Sequence, residues 1–201
     1  AGRANTAVLA HADKLWALHE ADAPYSLTLG DDAAVATMGR DDFGGKLDFP
    51  FTAHPKVDPR TGELLFYGYQ LDKPPYCKVG FVDADGTWKK SFPVDLPEAR
   101  MMHDCAITEN YMIIIGTSIV FTPEQMVKEN ALPFTVDDTK PMLIGILPRS
   151  ATSQDAITWF EMPSGAVFHT LNAWENGDII ELYTCCSDNT DLNLLMSTGD
   201  V

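Results

Sequence analysis

Turn signals recur so closely along this chain that few helical crossovers fit between them, and this constrains the fold more than any other feature. AVLAHADKLWALHE reads as a hairpin turning near Ala12-Asp13, and SLTLGDDAAVATMG repeats the pattern around Gly30-Asp31-Asp32. DPRTGE, DADGTW and ENGD are further turns, each with Gly or Asp where a positive φ or an Asx turn is useful. Between them lie strand candidates at 5–11, 14–19, 25–29, 33–38, 64–70, 77–83, 101–107, 111–116, 142–147, 157–161, 166–170 and 178–185. An all-β, antiparallel architecture follows. One helix interrupts it. Thr122-Pro123-Glu124-Gln125 has an N-cap residue, a proline at the first helical position and a glutamine at the third, opening TPEQMVKEN as a short helix.

The charge excludes one class of partner. Fourteen Lys and Arg against 29 Asp and Glu give a formal charge of −15. Nucleic-acid affinity comes mainly from neutralising phosphates, so no nucleic-acid partner is expected. No run approaches the roughly 20 apolar residues of a membrane span. The opening AGRANTAVLAHAD has neither the basic start nor the apolar core of a signal peptide. Cys77, Cys105, Cys185 and Cys186 form no C-x-x-C, and an adjacent pair does not easily close a disulfide. Four buried, reduced thiols are expected, which favours a cytosolic or organellar interior.

Three of the five histidines share one local setting. His54, His103 and His169 stand ten, nine and ten residues before the apolar runs that begin at Leu64, Met112 and Ile179. The histidines are 49 and 66 residues apart. Propeller blades recur at roughly 40–50 residues, so the first spacing fits one blade and the second fits a blade plus the helical insertion at 121–140. Blades place their innermost strands around one axis, where equivalent positions converge. Neutral imidazoles suit Fe, Zn, Cu and Ni, and no carboxylate accompanies these histidines at ligand spacing. Asp104 adjoins His103, but neighbours on a strand point to opposite faces, so it is not expected to share a metal. His11 and His19 lie outside the register and read as structural. No G-x-S-x-G, Gly-rich phosphate loop or acid/base carboxylate pair offers another chemistry.

FTAHPKVDPRTGELLFYGY, MMHDCAITENY and FHTLNAWENGD resemble three histidine motifs of the carotenoid cleavage dioxygenases. The opening GRANTAVLAHADKLWALHEADAPY is also similar to that family, and the resemblance covers essentially the whole chain. Among plant-type branches, MVKENALPF and ILPRSATSQDAITWFEMPSGAVFH look most like enzymes cutting at the 9,10 and 9′,10′ double bonds. The resemblance implies a seven-bladed β-propeller with a non-haem Fe(2+) on its axis, held by four histidines. His54, His103 and His169 match three of them, and the fourth falls outside this chain. Residues 1–201 would then be one partial domain, with blades missing on both sides and no activity of its own. Glu20 matches an outer glutamate that fixes a ligand imidazole, and Phe168 matches an aromatic facing the substrate tunnel.

The resemblance also implies cleavage of a carotenoid or apocarotenoid by O2 into two carbonyl products. Contact with a membrane surface is expected, without a transmembrane segment, and 121–134 is one candidate for it. Two departures bear on the tunnel: Thr170-Leu171 after His169, and GTSIVFTPEQ after the second motif. A stilbene-cleaving relative and a non-catalytic propeller remain as alternatives. A cytoplasmic location is expected, with the plastid as the alternative.

Overall fold

The structure is a computed structural model that describes residues 4–128 and 133–187. Strands β1 (Ala7–His11) and β2 (Lys14–Leu18) pair across Ala12 and Asp13. The φ values there, 49° and 58°, are the left-handed pair that a tight two-residue hairpin demands. With β3 (Tyr25–Leu29) and β4 (Val35–Arg40) they form a four-stranded antiparallel meander. A second meander follows: β5 (Lys56–Val57), β6 (Leu64–Tyr69), β7 (Cys77–Val82) and β8 (Trp88–Val94).

The third sheet is interrupted. After β9 (Ala106–Ile107) and β10 (Tyr111–Gly116) the chain leaves it as a separate ribbon. That ribbon comprises β11 (Ile119–Phe121), helix α1 (Glu124–Lys128) and β12 (Phe134–Val136). The chain returns as β13 (Met142–Pro148) and β14 (Thr158–Met162), giving the order β14-β13-β10-β9. A long hairpin, β15 (Ala166–Asn176) and β16 (Ile179–Ser187), closes the described part.

The sheets stack face to face, which explains the apolar runs. Along β6, Leu64 and Phe66 pack with Trp16, Leu18 and Phe51 toward the first sheet. Leu65 and Tyr67 pack with Met112, Ile114 and Leu147 toward the third. In β10, Ile113 and Ile115 turn the other way, onto Met142, Val167 and Ala173. A strand buried on both faces reads as a continuous apolar stretch, as LLFY and MIII do. At roughly 1.5–3 kcal/mol per fully buried large side chain, these layers supply most of the cohesion between sheets. Consecutive antiparallel meanders layered in this way are blades of a β-propeller. Gly80 lies opposite Phe66, whose ring covers it so closely that a Cβ there would sit 2.1 Å from Cζ.

Several elements differ from expectation. Strand β8 was not anticipated, because its two lysines and Pro93 break the apolar pattern. It is an edge strand, where alternate residues face outward and a proline costs no ladder bond. Only Ala106–Ile107 of the expected strand at 101–107 pairs, and β15 runs six residues beyond the expected 166–170. Helix α1 spans Glu124–Lys128, and the remainder of the expected helix lies outside the described residues. The Thr122 hydroxyl meets that of Thr135 across the ribbon at 2.8 Å.

The expectation for the cysteines is corrected. Cys77 and Cys105 are buried, but Cys185 and Cys186 are exposed. They lie on β16, which pairs only with β15 among the described residues. Apolar side chains are also exposed on the first sheet, at Val8, Leu29, Val35 and Met38, and on the last hairpin, at Leu171, Ile179 and Tyr183.

Candidate metal centre

The repeated register places three imidazoles at one point. His54 stands two residues before β5, His103 three before β9, and His169 within β15. Sheet two, sheet three and the final hairpin each have one, placed just before the sheet's first strand for His54 and His103 and within it for His169. A register shift in β15 between Val167 and Thr170 brackets His169. Such bulges re-aim a side chain out of the regular alternation. Ring centroids are 4.6 Å apart for His54 and His103, 4.9 Å for His54 and His169, and 4.8 Å for His103 and His169. The Nε2 atoms of His54 and His103 are 3.0 Å apart, and the three ligand atoms lie within 4.8 Å of one another.

The electrostatics favour a metal-binding form. Burial lowers the His54 pKa, and the neighbouring His103 and His169 lower it further. A neutral imidazole keeps a lone pair to offer, whereas three clustered imidazolium ions would repel. Imidazole-only donors fit a borderline divalent transition metal such as Fe, Zn, Cu or Ni better than Mg or Ca.

Glu20, just after β2, reaches this cluster from the first sheet. Its Oε1 contacts Nδ1 of His103, and its Oε2 accepts a 3.0 Å hydrogen bond from the Tyr69 hydroxyl. A carboxylate on Nδ1 holds the proton there and leaves Nε2 as the donor atom. Burial, followed by the nearby Glu20 carboxylate, pushes the Tyr69 phenol well above its ordinary value, so it remains a proton donor. Phe168 sits edge-on to His103 with ring centres 5.5 Å apart, and packs with Met101, Ile119 and Phe134.

The remaining expectations sort cleanly. Asp104 does not belong to the group of three imidazoles and is bound instead by Lys56 and Thr170. Burial raises its carboxyl pKa, but hydrogen bonds from Lys56 and Thr170 outweigh this and hold it below the ordinary range. Thr170 bonds Asp104 through both its amide and its hydroxyl, while Leu171 is exposed. His11 bonds the Gly62 carbonyl at 2.8 Å, and His19 accepts from the Ala21 amide at 3.1 Å. Neither joins the cluster.

Sequence reading did not anticipate a polar network linking the turns that follow the three histidines. Arg149 donates to Asp58 and Glu63 of the first turn and to the Thr108 and Glu109 carbonyls of the second. Asn110 of the second turn binds Glu175 of the third through its amide nitrogen and its side chain, at 2.8 and 2.9 Å. Much of each motif beyond its histidine therefore ties one turn to another.

With this geometry, comparison with known proteins is decisive. The family model described as retinal pigment epithelial membrane protein (RPE65) matches residues 1–199. The chain belongs to the RPE65/carotenoid oxygenase family. A carotenoid 9,10(9′,10′)-cleavage dioxygenase of Crocus sativus is 43% identical over 194 residues, covering 96% of this chain and 35% of that protein. A rice 9-cis-epoxycarotenoid dioxygenase, NCED2, named as chloroplastic, is 39% identical over 179 residues, covering 88% of this chain and 31% of that protein. Lignostilbene dioxygenase from Pseudomonas brassicacearum superposes with a TM-score of 0.79 at 31% identity, covering 90% of this chain and 38% of that one. Cobalt-substituted apocarotenoid oxygenase from Synechocystis gives a TM-score of 0.78 at 26% identity, covering 92% and 40%.

This carotenoid oxygenase chain spans about a third of the length of the curated relatives it matches. Enzymes of the family are metal-dependent, in keeping with the histidine cluster. The greater identity to the 9,10-cleaving relative than to the epoxycarotenoid one agrees with the motif comparison. Among the described residues no helix is long and apolar enough to cross a membrane.

Proposed function

We propose that the full-length protein is a non-haem Fe(II) dioxygenase. It splits one conjugated double bond of a carotenoid or apocarotenoid with O2, at the 9,10 and 9′,10′ positions. One carbon–carbon double bond and one O2 become two carbonyl groups, so the atoms balance without an external reductant. The observation that carries this reading is the convergence of His54, His103 and His169 from three successive sheets, with Glu20 on the outer nitrogen of His103. Residues 1–201 form one partial propeller domain in this reading, and a fourth histidine comes from the rest of the protein.

Iron, when bound, supplies the site at which O2 is activated. The chain supplies the geometry. The imidazoles of His54, His103 and His169 would hold the ion, with the Glu20 carboxylate against Nδ1 of His103 and itself bonded by Tyr69, orienting that ring. Phe168 offers an apolar ring beside His103 along which a polyene can lie. No acid or base is needed at the scissile bond in this reading, and the three potential ligand residues are all histidines.

The substrate dissolves in membranes, so the enzyme meets a bilayer surface without spanning it. Met126 on α1, 53% exposed, is a described residue of the contact segment at 121–134, and Leu132 lies outside the described residues. Replacing both with Glu is expected to reduce partition of the full-length protein onto liposomes, and unchanged partition overturns this contact. The chloroplastic rice relative supports the plastid over the cytoplasm as the compartment.

The lignostilbene dioxygenase likeness favours a second reading, cleavage of a phenolic stilbene. Expression of the complete protein in a carotenoid-accumulating bacterium separates them. An ionone with the matching dialdehyde, absent for His103→Ala, is the expected result. Unbleached carotenoid with soluble protein, and turnover of a hydroxystilbene instead, establishes the second reading. No turnover of either, with no bound iron, leaves a binding propeller.

A further inference from the structure

Backbone ladders fix strands within a sheet, but none of the described sheets is laddered to the next. Three histidines on three sheets therefore need something else to hold them in mutual register. Apolar packing between blades supplies cohesion but little directional precision. A binding constellation must be held to roughly 0.5 Å by locked neighbours.

One buried carboxylate touches the neighbours of all three histidines. Asp104, 4% exposed, directly follows His103 and accepts the Cys105 amide at 2.8 Å through Oδ1. The same oxygen is 2.6 Å from Nζ of Lys56, two residues after His54. Its other oxygen, Oδ2, accepts both the amide and the hydroxyl of Thr170, the residue after His169, each at 2.9 Å. The Thr170 hydroxyl also lies 3.0 Å from the Cys105 carbonyl, so its single proton is shared between two acceptors on the His103 segment. The Lys56 and Thr170 contacts run to two other sheets, and each of these residues lies within two positions of a histidine.

The charges are matched as well. Lys56 and Asp104 form a neutral pair with side chains 28% and 3% exposed. The pair adds no net charge beside a bound cation, so its contribution is geometric. The Thr170 hydroxyl is spent on this contact.

We propose that Asp104 is a positioning residue of the metal centre, clamping the His54, His103 and His169 segments together through Lys56 and Thr170 without touching the ion itself. The proposal rests on the three-histidine metal site proposed above. It predicts that metal affinity depends on a residue that is not a ligand, and on the two partners that complete the clamp.

The test uses the metal-stripped full-length protein titrated with Co2+. Visible absorption reports ligand geometry, and thermal unfolding of each apoprotein is measured alongside. Asp104→Asn preserves shape but loses the charge that holds Lys56. Its Co2+ affinity is expected to fall roughly 10–100-fold, the usual effect of losing a partner behind the ligands. The cobalt bands should shift, while the apoprotein retains a cooperative transition. Lys56→Met should weaken binding similarly. Combining the two should cost less than the product of the single effects, because both remove the same contact.

Should Asp104→Asn fail to fold, Thr170→Val, which keeps the amide bond and removes the hydroxyl, is the deciding variant. It is expected to weaken Co2+ several-fold and to shift the bands. Wild-type affinity and spectrum in the folded variants overturn the clamp while leaving the metal site intact. Absence of Co2+ binding by the wild-type protein overturns both.

Discussion

Replacing Arg149 with Met should cost the full-length protein about 3 kcal/mol, more than a surface ion pair would. The guanidinium follows β13 and is 11% exposed. It reaches Oδ2 of Asp58 and Oε2 of Glu63 at 2.6 Å each, with Nε a further 3.1 Å from Glu63. It also satisfies the Thr108 and Glu109 carbonyls at 3.1 Å. Methionine fills a similar volume, but leaves Asp58 without its cation and two carbonyls short of a donor. Glu63 is partly protected, because Lys89 still holds its other oxygen at 2.8 Å.

Breaking a buried pair from one side costs roughly 3–5 kcal/mol, and the protection of Glu63 argues for the lower end. Acid titration gives an independent handle. Burial drives the Asp58 carboxyl up, but bonds from Arg149 and from the Arg60 amide outweigh it and hold the pKa near 2, against an ordinary 3.8. A folded-state value below the unfolded one means stability that is present above 3.8 and lost as pH falls toward about 2. The shift corresponds to about 2 kcal/mol in all, and because the Arg60 amide and Thr61 share in it, Arg149 accounts for only part of that amount.

Urea unfolding followed by tryptophan fluorescence, at neutral pH and at the acid end of that window, reads both quantities. The gap between wild type and Arg149→Met should be widest at neutral pH and should narrow in acid. Adding Asp58→Asn to Arg149→Met should recover part of the loss, since the stranded charge is then gone. A loss below about 1 kcal/mol, or a gap independent of pH, would place this cluster among weak surface pairs and refute the reasoning.

Two further outcomes follow from the same structure. Glu20→Gln, which keeps the shape but removes the charge facing Nδ1 of His103, should weaken metal binding about 10–100-fold in a Co2+ titration, with the unfolding midpoint little changed. Burial pushes the Cys105 thiol up to about 12 and the Cys77 thiol higher still. Both should therefore resist a thiol reagent in the native protein and react in denaturant, as counted by mass spectrometry of the labelled peptides.

The three ligand candidates were legible because blade architecture repeats them. Each histidine stands where its sheet begins, so a fixed distance to the next apolar run survives in the sequence as a period. Tight turns were legible for a similar local reason: Gly62, Gly86 and Gly177 all adopt the positive φ that their turn motifs suggest. Strand β8 was hidden because an edge strand buries only part of itself, and Lys89, Lys90 and Pro93 resemble a loop. The full length of β15 was hidden by the irregularity around His169, where period two breaks down. Cys185 and Cys186 differ from expectation because a cysteine's usual burial does not hold on a strand that, among the described residues, pairs only with β15.

Long-range polar pairs left no trace of this kind. Arg149 and Glu63 are 86 residues apart, and Asp104 and Thr170 are 66 apart, so no local pattern marks either pair. These residues nonetheless explain why the histidine motifs are long. Imidazoles alone require only one residue per blade. Arg149 ties Asp58 and Glu63 of the first turn to the second, Asn110 ties the second to Glu175 of the third, and Asp104 joins Lys56 to Thr170. A substitution in a motif is therefore expected to weaken the proposed metal centre without touching a proposed ligand. It would then appear as weakened metal affinity in a protein that still folds, whereas failure to fold would indicate that the turn network carries stability alone.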